Sequence, residues 1–110
     1  MIPRTIIDKM ITSLPDVVLD YPFGESTAVY KIGSTSGKMF ALIAEKSKPI
    51  QLSLKCDPQL AELLRERYET VVPGYHLNKK HWNTIICSGQ MPAEELRDLV
   101  RHSYELVKES

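Results

Sequence analysis

The chain lacks several features that would place it in a specialised class of protein. It has no apolar run approaching the roughly 20 residues of a membrane-spanning helix. Residues 1–5 lack the apolar core of a secretory signal, which favours a cytoplasmic protein. No Gly-x-Ser-x-Gly elbow, phosphate-cradling glycine loop or His-Glu-x-x-His pair is present. We therefore expect a protein that is not an enzyme and needs no cofactor.

Cysteine is scarce, and its placement argues against a disulfide framework. Cys56 and Cys87 are the only two cysteines, and they share no metal-type spacing. In a reducing compartment we expect buried free thiols. The helix start after Cys56 leaves open a lowered pKa and a reactive thiolate. His76 and His81 are five residues apart, unlike metal pairs on a helix or strand, so no metal site is predicted.

An excess of charge is also missing. The 14 basic and 14 acidic side chains give a net charge of zero, which counts against strong nucleic-acid binding. The distribution is nevertheless uneven. Residues 27–56 hold five lysines and one carboxylate, and residues 71–91 hold two lysines and no carboxylate. A fold that gathers these two segments on one face would create a local positive field.

The 110 residues, 43% of them apolar, suit one folded domain. Residue spacing and turn signals predict helices over 3–14, from Pro58 and from Pro92, and strands over 27–32, 38–44, 49–55 and 82–87. Residues 33–37 read as a hairpin loop. The order helix, three strands, helix, one or two strands, helix implies an α+β domain with helices on one face of an antiparallel sheet.

Three local details are also predicted. Asp57 caps the helix that begins at Pro58. Ser103, on the apolar stripe of the last helix, bonds a backbone carbonyl one turn back. Pro73-Gly74 has the residues of a type II turn.

Residues 73–84 combine basic, aromatic and amide side chains, a mixture that suits contact with a polyanion. Lysines would pair with phosphates, amides would bond phosphates or base edges, and the indole would stack on a base. The candidate nucleic-acid-binding residues are His76, Asn78, Lys79, Lys80, His81, Trp82 and Asn83, extended by Lys31, Lys38 and Lys55. Two alternatives stay open: Trp82 as the first core residue of its strand, and lysines that are solvated or that protect sheet edges.

Several segments together carry a family resemblance. They are Tyr21-Pro22-Phe23-Gly24, Val29-Tyr30-Lys31, Gly37-Lys38-Met39-Phe40-Ala41-Leu42, Leu54-Lys55-Cys56-Asp57-Pro58, residues 73–84 and Ser103-Tyr104-Glu105-Leu106-Val107. On these motifs the sequence resembles the YjbR/MmcQ family of small bacterial proteins. The resemblance implies a CyaY-like (frataxin-like) two-layer sandwich, also likened to type III secretion chaperones. It further implies a proposed DNA-binding role through two wing-like hairpins.

Two hypotheses of function follow. The first is weak, largely sequence-independent binding of double-stranded DNA by a protein with no enzymatic activity. The second is a protein- or peptide-binding module, analogous to secretion chaperones, that works through an exposed sheet face or a dimer surface. A metabolite pocket around Tyr21, Phe23, His76 and Trp82 is a third hypothesis.

Overall fold

The computed structural model describes residues 1–74 and 77–110. Its helices are α1 (Arg4–Thr12), α2 (Pro58–Arg67) and α3 (Ala93–Glu109). Its strands are β1 (Val17–Asp20), β2 (Thr27–Ile32), β3 (Lys38–Ala44), β4 (Gln51–Lys55), β5 (Val71–Pro73) and β6 (Trp82–Ile86). Within these residues no helix is long and apolar enough to cross a membrane.

The strands form one antiparallel sheet in the order β1-β2-β3-β4-β6-β5. The bounds predicted for β2 and β3 are confirmed, and the loop between them contains a short 3₁₀ turn, Gly33–Thr35. The predicted order lacks β1, an edge strand whose residues show no alternation of apolar and polar types. The α+β architecture that the sequence predicted is confirmed.

The three helices pack on one face of the sheet and enclose the main core. Ile7 and Ile11 of α1, Leu52 of β4 and Leu96 of α3 are fully buried in it. Both cysteines lie there as free thiols, as predicted. The alternative of a lowered pKa at Cys56 is wrong, because burial raises the pKa of that thiol to about 11.

The predicted cap of α2 is confirmed, because the Asp57 carboxylate accepts from the backbone N–H groups of Gln59 and Leu60, each at 3.2 Å. The prediction for Ser103 is wrong. Its Oγ donates to the Phe40 carbonyl at 2.6 Å and accepts from the Lys55 N–H at 2.9 Å. The β3–β4 pairing ends at Ala41 and Leu54, so the Phe40 carbonyl and the Lys55 N–H have no partner in the opposite strand. The Ser103 hydroxyl supplies the missing hydrogen bonds.

Candidate nucleic-acid interface

The sheet surface opposite the helices, here called the open face, is built from three rows of side chains. Strand register places Val29, Leu42, Ser53 and Thr84 in its central row. One flanking row holds Thr27, Ala44, Gln51 and Ile86, and the other pairs Lys31 with Met39 and Lys55 with Trp82. The middle of the open face is therefore apolar or neutral, and lysines stand at one end of it.

Trp82 packs on the open face rather than projecting from it. Its side chain forms a small cluster with Val29, Leu42 and Leu77, and only 8% of Trp82 is exposed. The core alternative stated for this residue is the one that the structure shows. The indole is thus a support for the surrounding backbone and not an exposed stacking platform.

Gly74 is required by the close approach of the β5–β6 connection to Trp82. A Cβ at Gly74 would lie 2.9 Å from the Trp82 Cβ and 3.2 Å from the Trp82 carbonyl oxygen. The predicted type II turn is wrong, because Pro73 still belongs to β5 and Gly74 does not take the positive φ that such a turn needs. Glycine is needed at position 74 because a side chain would collide with Trp82, and not because the backbone takes a positive φ.

The turn before β6 projects two lysines outward. The Asn78 carbonyl accepts from the N–H groups of His81 at 3.1 Å and Trp82 at 2.9 Å. The Asn78 side-chain oxygen accepts from the Lys80 N–H at 3.0 Å. Lys79 and Lys80 are exposed at the tip, and Lys79 Nζ also reaches the Gly74 carbonyl at 3.5 Å.

Asn83 faces the helices and ties α2 to this turn. Its Oδ1 accepts from Arg65 Nε at 2.6 Å, and its Nδ2 donates to the Ala61 carbonyl at 3.2 Å. The Arg65 guanidinium also donates to the carbonyl oxygens of Lys79 and Trp82. Only 2% of Asn83 is exposed, so this side chain lies beneath the surface and orders Arg65.

Four basic residues lie at this end of the sheet: Lys55 on the open face, Lys79 and Lys80 in the turn before β6, and Arg65 on α2, bonded to that turn from the helical side. We call these four residues the cationic cluster. Lys55 stands opposite Trp82 in the β4–β6 ladder, and the Cys56 N–H donates to the His81 carbonyl at 2.7 Å. The salt bridges within residues 1–74 and 77–110 lie elsewhere, at Arg4 and Lys31. The cationic cluster therefore has no carboxylate partner among the described residues. The half-buried His81 lies beside it.

Two of the predicted lysines do not join the cationic cluster. Lys31 lies on the open face but forms an ion pair with Asp20 at 3.1 Å, and this hydrogen bond lowers the pKa of the Asp20 carboxyl. Lys38 Nζ donates to the Ser110 carbonyl at 3.2 Å, at the end of α3. Lys38 therefore belongs to the helical side of the protein. His76 lies outside the described residues.

A β-bulge in β3 explains why the Lys38 side chain lies on the helical face of the sheet and not on the open face. Simple alternation would place Lys38 on the same face as Leu42. However, the β2–β3 register shifts between Tyr30 and Lys31, which leaves one extra residue in β3. An extra residue reverses the side-chain alternation of the strand beyond it. Phe40 consequently faces the helices with Lys38, while Met39 faces the open side.

An apolar groove of about 550 Å³ crosses the open face. Strand residues form its floor: Thr27, Met39, Leu42, Ala44, Gln51, Ser53 and Thr84. Phe23 and Leu77 form its walls, and 67% of Phe23 is exposed. The hydroxyls of Ser53 and Thr84 are 2.8 Å apart and share a hydrogen bond. None of these described lining residues carries a charge.

The groove matches the third sequence hypothesis only in part. Phe23 lines it as predicted, whereas Tyr21 and Trp82 are not among its described lining residues. Arg65 was not predicted from the sequence as a member of this site. Its guanidinium is held by Asn83, and a polar residue within the apolar strand β6 is the one sequence signal for that contact. Across residues 1–74 and 77–110, no group of three His, Cys, Asp or Glu side chains is placed to hold a metal ion.

Comparisons with known proteins identify the family to which this fold belongs. Residues 12–106 match the family model YjbR, so the chain belongs to the YjbR family. It is 39% identical over 99 residues to uncharacterized protein YbdF of Escherichia coli O157:H7, covering 90% of this chain and 79% of that protein. It is also 39% identical over 119 residues to uncharacterized protein YyaQ of Bacillus subtilis strain 168, covering 98% and 100%.

A solved structure supports the same assignment. The crystal structure of Deinococcus radiodurans protein DR2400 superimposes with a TM-score of 0.90 at 42% sequence identity. The match covers 94% of this chain and 77% of that one. These relatives support the fold and the family, and their names state no activity.

Proposed function

We propose that this protein binds nucleic acid through the cationic cluster and that it has no enzymatic activity. The observation that supports the proposal is the position of Lys55 at the same end of the sheet as the exposed Lys79 and Lys80, whose turn Arg65 holds from the helical side. Basic residues from two distant segments come together there because β4 pairs with β6. They form a local positive surface on a chain whose net charge is zero.

The cationic cluster favours phosphate contacts over recognition of base edges. Lysine and arginine side chains neutralise phosphates, and such contacts carry no sequence information. The two amides expected to bond bases are occupied, because Asn78 Oδ1 accepts from the Lys80 N–H and Asn83 is buried against α2. Binding should therefore be weak and largely independent of sequence, with a Kd of about 10⁻⁴ to 10⁻⁶ M at physiological salt.

The proposal is tested by fluorescence titration of two unrelated DNA duplexes of equal length, each at two salt concentrations. We expect similar affinities for both duplexes and weaker binding at the higher salt concentration, because released counterions drive the association. Affinity that does not change with salt would contradict binding through phosphates. A large preference for one duplex would contradict the sequence independence.

A second candidate function, binding of an extended peptide segment, is favoured by the edge strand β1. Among the strands of residues 1–74 and 77–110, β1 lies at one edge of the sheet and pairs with β2 alone. Its Val18 and Leu19 are exposed, as are Tyr21 and Phe23 just beyond it. An unpaired apolar edge accepts an additional strand. The opposite edge strand, β5, ends at Pro73, which cannot donate a ladder hydrogen bond.

A substitution that introduces a charge into β1 distinguishes the two candidate functions experimentally. Peptides selected for binding from a random library should lose affinity for Leu19→Lys, because an edge lysine opposes strand addition. Binding of duplex DNA should be unchanged in that variant. Selected peptides that bind Leu19→Lys as well as the parent protein would remove β1 as the peptide site.

A further inference from the structure

The neutral groove and the cationic cluster are adjacent parts of one surface. Ser53 lies on the groove floor, and Lys55 is two residues further along β4 on the same face, about 7 Å away. Leu77 forms one wall, and Lys79 follows two residues later. A molecule that occupies the groove can therefore extend directly onto the lysines.

The groove offers flat apolar contact together with neutral hydrogen-bonding groups. Met39 and Leu42 supply aliphatic surface, while the Gln51 amide and the hydroxyls of Ser53 and Thr84 supply donors and acceptors. An uncharged lining does not suit a ligand whose inserted part carries a charge. The complementary ligand inserts a neutral, planar, hydrogen-bonding ring and carries its negative charge outside.

Phe23 supplies an aromatic wall that the sheet does not hide. With 67% of its surface exposed, it has ring surface available to a ligand, unlike the buried Trp82. Aromatic side chains on an open sheet or groove stack on single-stranded bases without regard to sequence. Phe23 therefore takes the stacking role that the sequence assigned to the indole.

We propose that this groove binds one unpaired base of a single-stranded nucleic acid, with the neighbouring phosphates on the cationic cluster. A base combines a neutral planar ring with an attached anion, which matches a neutral groove beside lysines. A volume of about 550 Å³ accommodates a base with its sugar. A base inside a duplex is stacked and paired, so it does not enter without first being extruded. The inference rests on the proposed nucleic-acid binding and narrows its ligand to unpaired strands.

The test compares three DNAs of equal length at one salt concentration: an oligothymidine, a duplex, and a single strand in which abasic sites replace the bases. The oligothymidine should bind about fivefold or more tightly than the abasic strand, because base–aromatic stacking is lost in the latter. It should also bind more tightly than the duplex. Phe23→Ala should remove most of this advantage and leave duplex binding unchanged.

Two further variants make the result decisive. Leu63→Ala removes an equally exposed apolar side chain from α2, outside the groove, and should keep the preference for oligothymidine. Ala44→Leu fills part of the groove from its floor with an aliphatic side chain, which offers no ring for stacking, and should abolish that preference even if Phe23→Ala disturbs its loop. Lys79→Ala combined with Lys80→Ala should weaken binding to all three DNAs.

The possible failures are distinguishable. Equal affinity for the three DNAs, with binding still weakened by the double lysine variant, would overturn the base-binding groove and leave the proposed function standing. A preference for oligothymidine that survives both Phe23→Ala and Ala44→Leu would overturn the groove as its site. No measurable binding to any of the three would overturn the inference and the proposed function together.

Discussion

Lys55 stands directly opposite Trp82 in the β4–β6 ladder, so a basic residue from one segment flanks a tryptophan from another. This pairing marks the border between the apolar part of the open face and its basic end. The indole closes the apolar cluster on one side, and the lysine begins the cationic cluster on the other. This arrangement makes one surface out of residues that are distant in sequence.

Asn83→Ala should destabilise the fold by about 1–3 kcal/mol, because it removes the acceptor of the partly buried Arg65 Nε and the side-chain bond to the Ala61 carbonyl, which keeps only its helical bond. The free energy of unfolding is measured by urea denaturation. Gln59→Ala removes an exposed amide from α2 and serves as the control, with an expected change within about 0.5 kcal/mol. Equal effects of the two substitutions would show that the Asn83 bonds contribute nothing special.

Gly74→Ala should shift the fluorescence emission of Trp82 to longer wavelength. The added Cβ would come 2.9 Å from the Trp82 Cβ, so the strand must move and admit water to the indole. Trp82 is the only tryptophan, and the emission therefore reports on this contact alone. Gly33→Ala, whose added Cβ would meet the Asp16 side chain instead, should leave the emission unchanged. An unshifted spectrum for Gly74→Ala would contradict the described packing.

The two thiols should react slowly with a disulfide reagent at pH 8 in the folded protein. Burial raises the pKa of Cys56 and of Cys87 from 9.0 to about 11, so very little thiolate is present at that pH. Labelling in urea should be rapid. The same pKa shift makes the free energy of unfolding depend on pH. The thiols ionise near pH 9 in the unfolded state but only near pH 11 in the folded state, so raising the pH from about 9 to 11 lowers the stability of the fold. Fast labelling of the native protein would contradict the burial of the thiols.

Local patterns were sufficient to predict much of the fold. The β-branched and aromatic residues of β2 and β3 marked their ends, and Asp57-Pro58 marked the start of α2. The strand β1 escaped prediction because it is short, lies at an edge and has most of its residues exposed, so burial left no alternating pattern.

The candidate surface was harder to predict because non-local contacts decide it. Asn83 sits within the basic stretch but faces the helices, and it orders Arg65 rather than a ligand. Lys38 was expected to extend the basic patch, but a β-bulge in β3 turns its side chain to the helical face of the sheet. The position of Phe23 beside the groove is also set by non-local contacts, because the groove floor consists of strand residues that are distant from Phe23 in sequence.

Binding through the cationic cluster is tested most directly by the salt dependence of duplex DNA binding for Lys79→Ala combined with Lys80→Ala. Lys46→Ala combined with Lys48→Ala is the matched control, because both of these exposed lysines lie in the β3–β4 connection at the opposite end of the sheet. If each lysine of the turn neutralises one phosphate, the negative slope of log K against log salt should become shallower by about 1.8 than that of the parent protein. The control should keep the parent slope. An unchanged slope in the Lys79 and Lys80 variant, or an equal loss in the control, would contradict binding through the cationic cluster.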